Sequence, residues 1–264
     1  MLQAKAPIGV TDSGVGGLTL VRRLRQMLPG EDIIYFGDSA NCPYGNRSMD
    51  EIFRLSSNML RYLGAQGVKC LAMACNTTST IVTRLQPCFD FRLIDIITPA
   101  AAFVARDGLT RVGLIATEFT VSTGAYDRLI HERLPDCRVV SKGSPLLAAL
   151  IDRGDFDQRA IDTEIRTQVD DILARERVEH LILACTHYPI VEENFRRCYP
   201  QLRLIDPALE QAAAVRDYLA SEHALNDSPR GTLTICTSGE PRVFSDVALR
   251  LGLDAPDEVR VVRL

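Results

Sequence analysis

The chain has 264 residues, a formal net charge of −4 and 46% hydrophobic residues, which is ordinary for a globular protein of one large or two small domains. The acidic balance and the lack of a basic run argue against nucleic acid as the main partner. No apolar stretch approaches the roughly 18 residues of a membrane span, so we expect no membrane contact. Residues 1–7 lack the apolar core of a secretion signal, and we therefore expect a cytoplasmic protein.

The first part of the chain alternates predicted strands and helices. Strands are predicted over residues 8–11, 32–37, 70–74 and 92–97, and helices over 18–28 and 50–64, with a glycine-rich turn at 12–17 and a loop at 38–48. This order of elements indicates a parallel sheet with helices on both faces, and hence an α/β fold.

The same pattern begins again near residue 111. Strands are predicted over 111–116, 138–141, 181–184 and 202–205, a turn at 117–120, and helices from there to about 134, over 145–153 and over 158–175. A helix over 209–220, a strand over 232–236 and a last helix follow, and we expect them to complete the first sheet.

Two similar apolar runs each end in a cysteine. Cys75 follows the run at 70–74 and Cys185 follows the run at 181–184, 110 positions later. A residue just past the end of a parallel strand lies at the carboxyl edge of the sheet, where open α/β sheets bind ligands. The pair therefore indicates two matched thiols and a reaction that needs a group on each side of its substrate.

Neither a cofactor nor a metal ion is expected. A chain of this length without a Cys-x-x-Cys pair does not suggest a disulfide framework or a structural zinc site, although Cys185 and His187 have a metal-like spacing. The three lysines, Lys5, Lys69 and Lys142, are badly placed for the Schiff base of a pyridoxal enzyme. We expect the other six cysteines to be reduced and to fill space in the core: Cys42, Cys70, Cys88, Cys137, Cys198 and Cys236.

The turn from Asp12 to Gly17 is similar to a nucleotide-binding loop, but Thr19 stands where its third glycine belongs. Free N–H groups at such a turn favour an anion, including a carboxylate. The alternative is a plain connection between a strand and a helix. The Asp12 carboxylate would repel an anionic ligand unless it takes part in proton transfer.

Polar residues follow the other strands. Tyr44 and Gly45 either form an ordinary turn or line a pocket as a hydroxyl and an N–H donor. Asn76 and Thr186 follow the two cysteines, where they can cap a helix, face a ligand, or do both. His187 is either structural or exchanges protons with the nearby thiol.

Taken together, these motifs resemble those of the cofactor-independent aspartate/glutamate racemase superfamily, and within it the glutamate racemases. The resemblance rests on Asp12-Ser13-Gly14-Val15-Gly16-Gly17, Pro43-Tyr44-Gly45 with Ser48, Ala74-Cys75-Asn76-Thr77 and Cys185-Thr186-His187-Tyr188-Pro189. It implies two α/β domains related by a pseudo-twofold axis, with the substrate between them. The expected domains are residues 1–98 plus 208–264, and residues 99–207.

The resemblance also implies roles for individual residues. Cys75 and Cys185 would form an acid/base pair assisted by Asp12 and His187. Asp12 and His187 would also contact the substrate, together with Ser13, Tyr44, Gly45, Asn76, Thr77, Thr117, Thr120 and Thr186. Three positions depart from the usual pattern, namely Thr11 in place of an aromatic residue, Ala116 in place of glycine and Asp152 in place of glutamate.

The implied activity is the interconversion of L- and D-glutamate without a cofactor, with a small molecule as substrate, to supply D-glutamate for peptidoglycan. A racemase of aspartate or another amino acid on the same scaffold remains an alternative. So do a non-catalytic paralogue that binds an acidic ligand and a thiol redox or metal protein. The sequence does not decide between a monomer and a homodimer.

Overall fold

The computed structural model describes residues 2–153 and 156–264, which form two parallel sheets flanked by helices. The strands are β1 Ile8–Asp12, β2 Ile33–Gly37, β3 Cys70–Met73, β4 Leu93–Asp95, β5 Arg111–Thr117, β6 Arg138–Ser144, β7 His180–Ala184, β8 Arg203–Ile205, β9 Leu233–Thr237 and β10 Glu258–Val261. The helices are α1 Leu18–Met27, α2 Met49–Ala65, α3 Asn76–Ser79, α4 Val82–Leu85, α5 Ile97–Arg106, α6 Glu118–Ser122, α7 Ala125–His131, α8 Leu147–Asp152, α9 Gln158–Arg175, α10 Glu192–Cys198, α11 Pro207–Ser221 and α12 Pro241–Arg250.

The two sheets share one strand order. The first runs β10-β9-β2-β1-β3-β4 and the second β6-β5-β7-β8, so each contains its second, first, third and fourth strands in that sequence. All the pairings are parallel. The predicted α/β class with two similar parallel sheets is confirmed, and β3 and β7 occupy equivalent positions.

Local sequence explains why these elements form. Leu18, Leu20, Val21 and Leu24 recur at helical spacing in α1 and are fully buried. Helix α2 begins at a capping box, in which the Ser48 hydroxyl accepts a hydrogen bond from the N–H of the third helical residue, whose carboxylate accepts from the Ser48 N–H. The strands that flank the cysteines are buried on both faces, as their continuous apolar sequences require.

Two elements differ from the prediction. Ile97 was expected to end a strand but begins α5, because the Asp95 carboxylate accepts hydrogen bonds from the N–H groups of Ile97 and Thr98. Pro99 is tolerated in the first turn of that helix. Strand β10 was not predicted, since its four residues are only partly buried, but it pairs with β9 at the end of the first sheet.

Lys69 lies just before β3, at the opposite end of that strand from Cys75. Its ammonium group is buried beside Glu31, 2.5 Å from the carboxylate, and donates to the carbonyls of Ala4 and Ala224. Lys69 therefore stabilises the fold and lies away from the carboxyl edge of the sheet.

Sheet membership supports the division into residues 1–98 plus 208–264 and residues 99–207, which we retain as a proposal. Strands β9 and β10 join the first sheet, while β5 to β8 form the second. The proposed boundaries fall within the first turns of α5 and α11. None of the helices in residues 2–153 and 156–264 combines the length and apolar character needed to cross a bilayer.

Candidate active site

One small cavity lies where the carboxyl ends of the two sheets face each other. Both strand-end cysteines line it, and the space open to the centre of a water-sized molecule is about 20 Å³. The lining residues are Ser13, Cys42, Pro43, Tyr44, Gly45, Cys75, Asn76, Thr77, Thr117, Ala148, Cys185, Thr186 and His187. A larger surface pocket of about 470 Å³ lies at the amino ends of β5 and β7 and is lined by neither cysteine.

Cys75 is the second residue after β3 and directly precedes the short helix α3, and it is 5% exposed. Its sulfur lies 3.6 Å from the hydroxyl oxygen of Ser13. Burial, reinforced by the negative charge of Asp12, raises the pKa of Cys75 to about 11. Near neutral pH this thiol therefore holds its proton.

Cys185 follows β7 and lies beside a histidine. Its sulfur is 3.8 Å from Nδ1 of His187, and Nε2 of that ring is 3.0 Å from Oδ1 of Asp152. Burial lowers the pKa of His187, but the contacts with Asp152 and Cys185 raise it well above its ordinary value. Although burial acts in the opposite direction, His187 lowers the pKa of Asp152. A protonated His187 thus places a positive charge next to the Cys185 sulfur.

Asp12 lies behind the cavity wall, not in it. The carboxylate is fully buried, and its two oxygens accept hydrogen bonds of 3.0 Å from the Thr186 hydroxyl and the Gly14 N–H. The glycine-rich turn was expected to offer free N–H groups to an anion, but the Gly14 N–H is occupied by the carboxylate of Asp12. Burial raises the pKa of Asp12. Direct contact between Asp12 and a substrate stays a prediction; in this structure Thr186, to which the carboxylate is bonded, lines the cavity, whereas Asp12 is not among the described lining residues.

Gly16 allows the turn after β1 to touch the segment after β7. A Cβ at this position would lie 2.4 Å from the Thr186 hydroxyl oxygen and 2.8 Å from the backbone nitrogen of His187. Any side chain here would push the two sheets' loops apart. Glycine is therefore needed at position 16 because the two segments approach closely, and not because the turn binds an anion.

For Tyr44 the sequence left open an ordinary turn or a hydroxyl donor that lines a pocket. Tyr44 does line the cavity, but in this structure its hydroxyl donates to the carboxylate of Asp38 at 2.6 Å. Asp38 also accepts hydrogen bonds from Asn41 and Ser238. Gly45 does line the cavity, where it packs against Thr117.

Asn76 carries an unused donor into the cavity. Its Oδ1 accepts a 2.6 Å hydrogen bond from the hydroxyl of Tyr126 on α7, whereas its Nδ2 is buried without a hydrogen-bond partner. A buried N–H group left unpaired costs free energy unless a ligand or water completes it. Asn76 was expected either to cap a helix or to face a ligand; its side chain caps nothing here and lines the cavity.

Three threonines form a cluster of hydroxyls beside the cavity. The Thr117 hydroxyl lies 3.1 Å from that of Thr77 and 2.9 Å from that of Thr120. Thr77 and Thr117 line the cavity, but Thr120 lies behind them and is not among its described lining residues. The predicted contact of Thr120 with a substrate would therefore be indirect.

Sequence reasoning missed three residues of this region. Asp152 was singled out only as a departure from a family pattern, Cys42 only as a space-filling thiol, and Tyr126 not at all. They come from a helix end, a loop and a helix, so no spacing in the sequence brings them to the strand ends. Of the other cysteines expected in the core, Cys88 is exposed.

The donors around the cavity are mostly neutral. Among its described lining residues there is no lysine or arginine, and His187 is the one basic side chain. Cys42, Asp152 and His187 bring three atoms that could ligate a metal within 4.8 Å of one another. The arrangement can move protons at two thiols and donate hydrogen bonds to a small polar molecule.

Known proteins are similar to this chain in both sequence and fold. The family described as Asp/Glu/Hydantoin racemase matches residues 8–215. A glutamate racemase of Desulforudis audaxviator is 39% identical over 216 residues, which cover 81% of this chain and 79% of that protein. A crystal structure of a glutamate racemase isoform from Bacillus anthracis superposes with a TM-score of 0.92 at 30% identity and covers 99% of both chains.

A third match was solved with a bound ligand. The crystal structure of glutamate racemase from Francisella tularensis in complex with D-glutamate superposes with a TM-score of 0.89 at 32% identity, covering 98% of both chains. Family match, identity and fold agree over nearly the whole chain. The chain belongs to the Asp/Glu/Hydantoin racemase family.

Proposed function

We propose that this chain is a glutamate racemase that interconverts L- and D-glutamate without a cofactor. The observation that carries the proposal is the placement of Cys75 and Cys185 after equivalent strands of two sheets, both lining one small cavity. The names of the relatives, including one solved with D-glutamate, support glutamate as the substrate. We further propose that the product D-glutamate supplies peptidoglycan synthesis in the cytoplasm.

The proposed reaction exchanges one proton on each face of the α-carbon. The α-hydrogen of an amino acid is a very weak acid, and a single base would tend to return the proton to the face from which it came. With two opposed groups, one thiolate removes the proton while the opposite thiol delivers another. The two groups then exchange roles for the reverse reaction.

The unequal surroundings of the thiols support an order of events. The raised pKa of Cys75 makes it the proton donor of the resting site. Cys185, beside His187, is then the first base, and the imidazole at 3.8 Å from its sulfur is placed to take up or return a proton. Asp12 acts through Thr186, which it orients by accepting the hydroxyl hydrogen bond.

Neutral donors would hold the carboxylates and stabilise the carbanion. The unpaired Nδ2 of Asn76 and the hydroxyls of Ser13 and Thr77 are the candidates. In a water-poor cavity, preorganised donors interact with developing negative charge more strongly than water does. The 20 Å³ of open space holds about one water molecule, so glutamate can enter only when the walls separate.

Chiral analysis tests the proposal. Purified protein is incubated with L-glutamate, D-glutamate and L-aspartate in separate reactions. We expect either glutamate enantiomer to reach an equal mixture, with aspartate slower. Faster inversion of aspartate than of glutamate would indicate an aspartate racemase. Inversion of neither amino acid would favour a non-catalytic binding protein. Gel filtration of the same purified protein measures its oligomeric state, for which we propose a homodimer.

A further inference from the structure

Three potential metal ligands from separate segments converge beside the cavity. Cys42 lies in the loop after β2, Asp152 ends α8, and His187 follows β7. Their ligating atoms all lie within 4.8 Å of one another, and His187 Nε2 is already 3.0 Å from Asp152 Oδ1. Tetrahedral zinc with bonds near 2.0 Å places two such atoms about 3.3 Å apart. The histidine and the aspartate are thus nearly in ligating positions.

The missing side chain of Gly14 leaves room at the point where the three atoms converge. A Cβ on this glycine would lie 2.7 Å from Asp152 Oδ1, 3.1 Å from the Cys42 sulfur and 3.4 Å from His187 Nε2. All three atoms therefore face one small region instead of pointing apart. His187 is buried, whereas the Asp152 side chain is 24% exposed and gives an ion a path from solvent.

The three side chains offer a donor set that suits a divalent ion. They bring together one sulfur, one carboxylate oxygen and one imidazole nitrogen. A divalent ion would displace the proton of the Cys42 thiol and the extra proton of the His187 ring. Two protons leave, and the ion is held by one thiolate, one carboxylate and one neutral imidazole. A cysteine and a histidine ligand select zinc-like ions over magnesium or calcium.

We propose that Cys42, Asp152 and His187 form an inhibitory binding site for zinc or a similar divalent ion. The ion takes Nε2 of His187 and the carboxylate that holds the ring, so the imidazole loses its partner and its positive charge. Because two protons leave as the ion enters, the net charge of the cluster is unchanged, but the positive charge moves from the His187 ring to an ion bound to Cys42 in the cavity wall. The inhibitory consequence depends on the proposed racemase function, while the binding of the ion does not.

Cobalt(II) titration tests the site directly, because a cobalt–thiolate bond gives a charge-transfer absorption that zinc lacks. We expect the protein to develop this absorption with one equivalent of cobalt, and zinc, but not magnesium, to abolish it. Cys42→Ser should lose the absorption and bind cobalt about a hundredfold more weakly, since even outer contacts of a metal site contribute tenfold to hundredfold. Cys137→Ser, which alters a cysteine outside the cluster, is the matched control.

Asp152→Asn is the second variant, and it should keep the charge-transfer absorption while weakening cobalt binding. In the racemase assay, zinc should inhibit and a chelator should restore the rate. Absorption that persists in Cys42→Ser, or that is absent from the original protein, would overturn the proposal. Zinc binding without any effect on racemisation would overturn its inhibitory part. If no racemisation occurs at all, the proposed function fails, and the cobalt titration still decides the site.

Discussion

The two halves of the cavity have the same architecture and different chemistry. Cys75 and Cys185 follow equivalent strands, but Cys75 has the Ser13 hydroxyl as its near polar neighbour, whereas Cys185 has His187, backed by Asp152. The shared strand order therefore places the two thiols at equivalent points but does not give them the same neighbours. A reaction that is symmetric in its products can be run by a site that is asymmetric at rest.

Removing the sulfur atom from either half should have the largest effect on the reaction. We expect Cys75→Ala and Cys185→Ala each to lower the rate of racemisation by about 10⁴-fold, the upper range for a general acid or base. The double variant should be no worse than either single variant, because the two thiols act as one unit. Cys88→Ala, at an exposed site, is the control and should keep full activity. The rates are measured by polarimetry in both directions.

A smaller effect is expected from a substitution that alters the surroundings of Cys185 and leaves those of Cys75 unchanged. In Asp152→Asn the amide no longer attracts the charge on His187, so the pKa of His187 should fall toward its ordinary 6.5. The protonated fraction near neutral pH then decreases, and we expect racemisation to slow by about 10- to 100-fold. Proton NMR titration of the four histidines measures the shift, and an unchanged His187 would contradict the assigned pairing.

The same variant has a signature in stability. Because the folded pKa of His187 lies above its unfolded value, the stability it contributes is complete below about pH 6.5 and is lost as the pH rises through the folded pKa. The lowered pKa of Asp152 contributes stability above about pH 3.9, which is lost as the pH falls through the folded pKa. Denaturant unfolding at a series of pH values should show both losses in the original protein. In Asp152→Asn the loss at low pH should disappear, and the loss at high pH should become smaller, because the contact between His187 and Cys185 remains.

The smallest expected effect comes from the other half. Tyr126→Phe removes the 2.6 Å hydrogen bond that holds Oδ1 of Asn76, and the amide is then free to rotate away from the cavity. A hydrogen bond of this kind contributes about 1 kcal/mol, so KM should rise by about fivefold. A positioning role predicts that kcat changes little, and that Asn76→Ala raises KM at least as much. An unchanged KM in Tyr126→Phe would show that Asn76 needs no anchor.

The sequence predicted the fold and the centre of the site, because both follow from strand ends. Apolar runs marked β3 and β7, and the residues after them lie at the carboxyl edges of their parallel sheets. Asp152 and Tyr126 could not be found this way, since a helix face reaches the site only through tertiary packing. The direction of the Tyr44 hydroxyl depended on Asp38, and one of the further partners of Asp38, Ser238, lies 200 positions away along the chain.

Deuterium incorporation tests most directly whether two thiols act on opposite faces. L-glutamate is incubated with the protein in deuterium oxide, and both enantiomers are separated at low conversion and examined by mass spectrometry. We predict that the D-glutamate formed carries one deuterium at the α-carbon while the remaining L-glutamate carries none, since each face exchanges with its own thiol. D-glutamate that retains the original proton, or L-glutamate that gains deuterium as fast as D-glutamate appears, would contradict the two-base account.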